Sequence, residues 1–176
     1  MNFVIFSPPG GGKSYINKLI SKKYDMVVFD CDSYLDDIFT KEVRNIIDNE
    51  DKYLKIKLSV IKNKIDKVNL GNTILDLGGG TVFQDDDFVS YIKGKKLKIV
   101  YLNARFDVIR DRFLKNRDEI TKRRFLTNGN INDWERKLLR YYTNYSRLKK
   151  YSDCVIEYDY DNLDKTLNKI FKCVDN

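Results

Sequence analysis

The chain has 176 residues, three cysteines, no histidine and a net charge of +7. That length suits one domain with its own core; no window approaches the about 18 apolar residues that span a membrane, and nothing at the N-terminus reads as a secretory signal peptide. Cys31, Cys154 and Cys173 lie far apart with no CxxC pair, so neither a disulfide framework nor a zinc site is expected, and a reducing cytoplasm is the natural setting. Without histidine, a general base must be a carboxylate, a lysine, a cysteine or a tyrosine. The positive charge is scattered rather than gathered in blocks, which leaves nucleic acid a possible partner but not the favoured one.

In chain order, Asn2–Phe6 (NFVIF) reads as a short buried strand. It runs into Ser7-Pro8-Pro9-Gly10-Gly11-Gly12-Lys13-Ser14, and a helical pattern follows with Ile16, Leu19 and Ile20 on one face. A phosphate chain needs many donors converging on a small volume. Glycines let backbone N–H groups turn inward, and the following helix points its positive end at the anion. The segment matches G-x-x-x-x-G-K-[ST] from Gly12 onward, with Ser7 in place of the first glycine. Pro9, Gly10, Gly11, Gly12, Lys13, Ser14 and Tyr15 are therefore the candidate ATP-binding residues. Lys13 meets the β and γ phosphates, and the Ser14 hydroxyl offers a ligand to Mg²⁺.

Met26–Phe29 (MVVF) is a second apolar run, ending at Asp30-Cys31-Asp32. In an extended segment, spacing of two puts both carboxylates on one side: Asp30 to hold a magnesium-bound water, Asp32 to take a proton from an acceptor hydroxyl. Capping of the next helix by Asp32 or Ser33 is the structural alternative. Residues 33–67 read as helical in two or three pieces. Thr73–Leu77 (TILDL) is the third strand and leads into Gly78-Gly79-Gly80. Asp76 resembles a Walker B acid reaching Mg²⁺ through water, and the glycines let a ligand approach the backbone. Further helices are predicted over 84–93, 105–115, 132–150 and 161–172, with strands at Leu97–Leu102 and Cys154–Glu157. The charged segment 116–133 reads as an exposed mobile loop, and Trp134 after it as a core anchor.

Short apolar strands alternating with helices predict a single α/β domain over 1–176, with a five-stranded parallel sheet covered on both faces. The phosphate loop, Asp-x-Asp after the second strand and Gly-Gly-Gly after the third resemble, in this order, the shikimate kinases among the nucleoside monophosphate kinase-like P-loop kinases. IVYLNARFDVIRDRFLKNR is similar to that family's fourth strand and helix, and SDCVIEYD to its last strand. The resemblance implies a three-layer α/β/α P-loop kinase fold, an acceptor-binding helical region at about 33–67 and a mobile lid at about 116–130. It implies two lid arginines, Arg117 and Arg124, one beside adenine and the other reaching the phosphates at closure.

The acceptor half matches less closely. The family's Phe-Arg-x-x-Glu segment falls on Tyr53-Leu54-Lys55-Ile56-Lys57, which has no arginine. Its second acceptor arginine falls on Asn144, with Arg140 and Arg147 nearby. Arg44 and Arg140, with Asp32 and Gly78–Gly80, are the candidate acceptor residues, because a planar guanidinium matches a carboxylate; Lys55, Lys57 and Arg147 are further cations the chain offers for it.

Taken together, the sequence points to a cytoplasmic, Mg·ATP-dependent kinase, monomeric or weakly dimeric, acting on a hydroxyl of a small-molecule acceptor. Lys13, Asp32 and Arg124 are its candidate catalytic groups, and Ser14, Asp30 and Asp76 its candidate metal ligands. A nucleoside, nucleotide or polynucleotide hydroxyl kinase and a non-catalytic nucleotide-binding module are the alternatives.

Overall fold

The computed structural model describes residues 1–38, 50–67, 71–77, 85–122, 126 and 131–175. The five apolar runs become strands β1 (Asn2–Phe6), β2 (Val27–Asp30), β3 (Thr73–Asp76), β4 (Lys98–Asn103) and β5 (Cys154–Glu157). They form one sheet in the order β2-β3-β1-β4-β5, every pair parallel. Central β1 sets Phe3 opposite Ile74 on one side and Lys98 on the other. The chain turns from β1 towards one edge, then crosses back over it between β3 and β4. That reversal opens the crevice at the carboxyl ends of β1 and β3 where ligands of such sheets bind.

Parallel strands need long connections, and these are helical. Helix α1 (Lys13–Tyr24) follows β1 and α2 (Cys31–Ile38) follows β2. Helix α3 (Glu50–Lys67) precedes β3, and α4 (Asp86–Gly94) joins β3 to β4. Helices α5 (Phe106–Lys115), α6 (Arg117–Lys122) and α7 (Trp134–Arg147) lie between β4 and β5, and α8 (Leu163–Val174) closes the described chain. Side chains alternate along β1. Phe3 and Ile5 pack with Ile16 and Ile20 of α1, Phe113 of α5 and Ile170 of α8. Val4 and Phe6 pack with Leu35 of α2, Ile61 of α3 and Phe88 of α4. Both faces are thus covered, giving the three layers, and Phe3, Val4, Ile5 and Phe6 are all wholly buried. Side chains of that size contribute about 1.5–3 kcal/mol each on burial.

Helix starts follow local chemistry. The Asp85 side chain accepts from Phe88 N (2.7 Å) ahead of α4, and Asn162 accepts from Lys165 N (2.9 Å) ahead of α8. Three expectations change. Strand β2 begins at Val27 and includes Asp30, while Met26 is buried outside it. The segment expected to be an exposed loop contains α6 and a 3₁₀ turn at Ile131–Asp133. Ile120 and Leu126 are buried there, so two apolar residues within a charged stretch anchor it to the core. Trp134 does pack on that core, its ring 6.3 Å from that of Phe113.

The third change concerns the cysteines: Cys154 and Cys173 form a disulfide, and only Cys31, which is buried, is free. Strand β5 runs one way and α8 runs back along it, so the last turn of the helix returns to the first residue of the strand. The sequence separation of 19 conceals that return. Closing a loop of this length stabilises the fold by about 3 kcal/mol on the chain-entropy argument. We expect denaturant unfolding with and without a thiol reductant to differ by about that amount, and Cys173→Ser to lose it under both conditions.

Candidate active site

The loop between β1 and α1 is held by contacts that exclude side chains. Gly11 N–H donates to Pro8 O at 2.9 Å, closing a turn. Gly10 and Gly12 have φ of 79° and 90°, a region L-residues rarely enter. A Cβ on Gly10 would stand 2.8 Å from Phe113 Cε2, and one on Gly12 would stand 2.6 Å from Tyr158 Cε1. Ser7, at the position of the missing motif glycine, is buried and its hydroxyl donates to Pro8 O at 3.2 Å. Helix α1 then starts at Lys13 with no side-chain cap and no acidic residue in its first turn. Its leading N–H groups and positive dipole end are therefore presented to an incoming anion. Ser14 and Tyr15 are exposed in that first turn.

Lys13 forms an ion pair with Asp76. Asp76 ends β3, is 2% exposed, and also accepts from Asn17 Nδ2 at 2.7 Å. Asp30 ends β2 directly opposite Asp76 in register, so two of the candidate metal ligands are neighbours. A serine hydroxyl and carboxylates are the oxygen ligands magnesium takes beside nucleotide phosphates, so the donor set fits that ion.

Asp30 also caps α2: its Oδ1 accepts from Asp32 N (3.0 Å) and Ser33 N (3.1 Å). The Asp30–Asp32 segment is therefore a strand end followed by a helical turn, not an extended stretch, and the cap is Asp30 rather than Asp32 or Ser33. Asp32 instead turns towards α3, where Lys57 Nζ donates to its Oδ1 at 3.0 Å. Lys57 is 8% exposed, an uncommon burial for a lysine. Cys31 between the two aspartates is fully buried. Burial first, then the charges of Asp76 and Asp32, push its thiol far above the usual range. Burial likewise raises the Tyr145 hydroxyl. Both groups therefore stay protonated at neutral pH, so neither is suited to take a proton.

Among the described residues, Arg112 of α5 reaches the loop, its Nη1 donating to Gly10 O at 3.3 Å. Its guanidinium lies 4.4 Å from the Tyr160 ring centre and 5.8 Å from that of Tyr158. Burial pushes the Tyr160 hydroxyl up to about 12. Arg117 is exposed on α6 and Arg140 is exposed on α7. Arg44, Gly78, Gly79, Gly80 and Arg124 lie outside the described residues. The sequence reading passed over Asn17 and Arg112. Asn17 had one signal: a polar residue one turn after Lys13 on an otherwise apolar helix face.

Comparison with known proteins identifies the family and the fold. The family model described as Shikimate kinase matches residues 9–175. A shikimate kinase of Flavobacterium psychrophilum is 30% identical over 154 residues, covering 81% of this chain and 80% of that protein. One from Dictyoglomus turgidum is 25% identical over 177 residues, covering 98% and 95%. The crystal structure of shikimate kinase from Bacteroides thetaiotaomicron superposes with a TM-score of 0.77 at 16% identity, covering 100% of this chain and 99% of that one. With the match running from the phosphate loop to the last helix, this chain belongs to the shikimate kinase family and is an ATP-dependent kinase acting on a hydroxyl group.

Proposed function

We propose that the protein transfers the γ-phosphoryl group of Mg·ATP to a hydroxyl of shikimate. The observation that carries the acceptor half is the buried Lys57 paired with Asp32. A cation and a base stand together just past the carboxyl end of β2, whose last residue is in register with the Asp76 that Lys13 meets, as an acid carrying hydroxyl groups requires. The names of the related proteins support the same acceptor.

The loop backbone and the start of α1 hold the donor phosphates. Lys13 has three donors, so it can reach phosphate oxygens while keeping Asp76. Ser14 and Asp30 would hold the magnesium ion, with Asp76 opposite Asp30 in register. When bound, the ion neutralises charge on the transferred group. Arg112 covers the loop beside Tyr160, where a flat base can stack. Asp32 takes the proton of the attacking hydroxyl, and Lys57 faces the acceptor carboxylate and aligns Asp32. In this reading Lys57 takes the carboxylate-facing role, for which Arg44 and Arg140 are the other candidates. We read 116–130 as the lid, with α6 as its described part, and Arg117 and Arg124 as its cations.

Three outcomes follow from these roles. Lys13→Ala should lose at least about 3 kcal/mol of transition-state stabilisation in a coupled ADP assay, as loss of one preorganised charge contact does; unchanged phosphotransfer would refute the donor site. Lys57→Met should raise the KM for shikimate at least about tenfold with KM for ATP unmoved, because a hydrogen bond to a charged group is lost. A larger effect from Arg140→Met would move the carboxylate site to α7. Saturating ATP should slow amide exchange across Arg117–Lys122, and equal exchange with and without nucleotide would make α6 an ordinary surface helix.

A further inference from the structure

We propose that Asn17 is a positioning residue for phosphotransfer: it fixes the Asp76 carboxylate so that this group holds Lys13 at the phosphate loop. The proposal rests on the reading of Lys13 as the cation of the donor site.

Asn17 is 2% exposed, between the wholly buried Ile16 and the equally buried Ile20 of the same helix face. A side-chain amide at such a place lowers stability unless all its polar atoms are bonded. Here they are not. Nδ2 donates to Asp76 Oδ2 at 2.7 Å, while the buried Oδ1 has no hydrogen-bond partner. An apolar side chain would serve packing alone better, so the amide is present for the one bond it makes.

That bond has a definite geometric effect. Positions 13 and 17 are one helical turn apart and share a face. Lys13 meets Oδ1 of Asp76 and Asn17 meets Oδ2. The terminal torsion of an aspartate is broad and roughly two-fold, so each donor that meets a separate oxygen narrows the range over which the carboxylate plane can turn. Two donors from one rigid helix, one on each oxygen, fix it. Lys13 then has an oriented counter-charge, and its long stem is already ordered when the donor phosphates arrive.

The test is a double-mutant cycle with steady-state kinetics. Asn17→Leu keeps a similar size and removes the donor; it should lower kcat/KM for ATP about tenfold, the effect of one hydrogen bond to a charged group. KM for shikimate should stay within about twofold. In an Asp76→Ala background the same replacement should change kcat/KM for ATP less than about twofold, since the group it acts through is gone. If activity in that background is too low to measure, ADP affinity by calorimetry closes the same cycle. A full tenfold loss in both backgrounds, no loss in the native background, or a parallel rise in the shikimate KM would overturn the proposal. Asn17→Ala replaces Asn17→Leu if the latter does not fold; failure of both to fold while Asp76→Ala folds would mean that Asn17 serves packing alone. Lys13→Ala measured alongside separates the two levels: if it stays active, the donor-site reading fails, whereas an inactive Lys13→Ala with an additive cycle removes only the role of Asn17.

Discussion

A carboxylate buried to 2% exposure at the end of an interior strand has to be met by donors, and Asp76 is such a group. Its partners Lys13 and Asn17 come from 63 and 59 residues earlier in the chain. Satisfying it brings the first turn of α1 against the end of β3, and the phosphate loop has to bridge the gap from β1. Removing one partner of a buried ion pair typically costs about 3–5 kcal/mol, so this junction is rigid. From the other side the loop meets Phe113 and Tyr158, which leave no room for a Cβ at Gly10 or Gly12. The loop's shape is therefore set by a charge beneath it and two aromatic rings above it, as much as by its own glycines.

Two lysine–aspartate pairs stand at the ends of neighbouring strands. Lys13 pairs with Asp76 and Lys57 with Asp32; in the proposed function the first serves the donor side and the second the acceptor side. Asp30, in register with Asp76 and capping the helix that carries Asp32, links them. Charge brought by the two substrates thus arrives in a region where cations and carboxylates already alternate. Each positive group has a resting partner, and each carboxylate an orienting donor. Such preorganisation is where enzymes of this chemistry find most of their rate.

Much of this was legible in the sequence because it is local. The strands are apolar runs, the loop is a contiguous motif, and the aspartates follow strand ends directly. What was not legible depends on register between distant elements. Lys57 was visible only as one of several cations open to an acceptor acid, and the docking of α3 is what buries it and turns it to Asp32. Arg112 meets Gly10 across 102 residues, and nothing in its own helix marks it out from Arg110. Ile120 and Leu126 were masked by the charges around them. The Cys154–Cys173 bond needs the reversal of α8 along β5, which no spacing rule encodes.

The central position of β1 has a consequence for synthesis. On the ribosome it is made before either of its neighbours, and β2, made next, lies on the far side of β3. Neither strand can pair until β3 emerges, 71 residues after β1 as the bond from Thr73 N to Asn2 Oδ1 records. At about 5–20 residues per second, that is a wait of roughly 4–14 seconds. During it Phe3, Ile5, Val28 and Phe29 have no partner strand to cover them. The nascent chain has the exposed apolar segments that chaperones bind, and β3 must then enter between two strands already made.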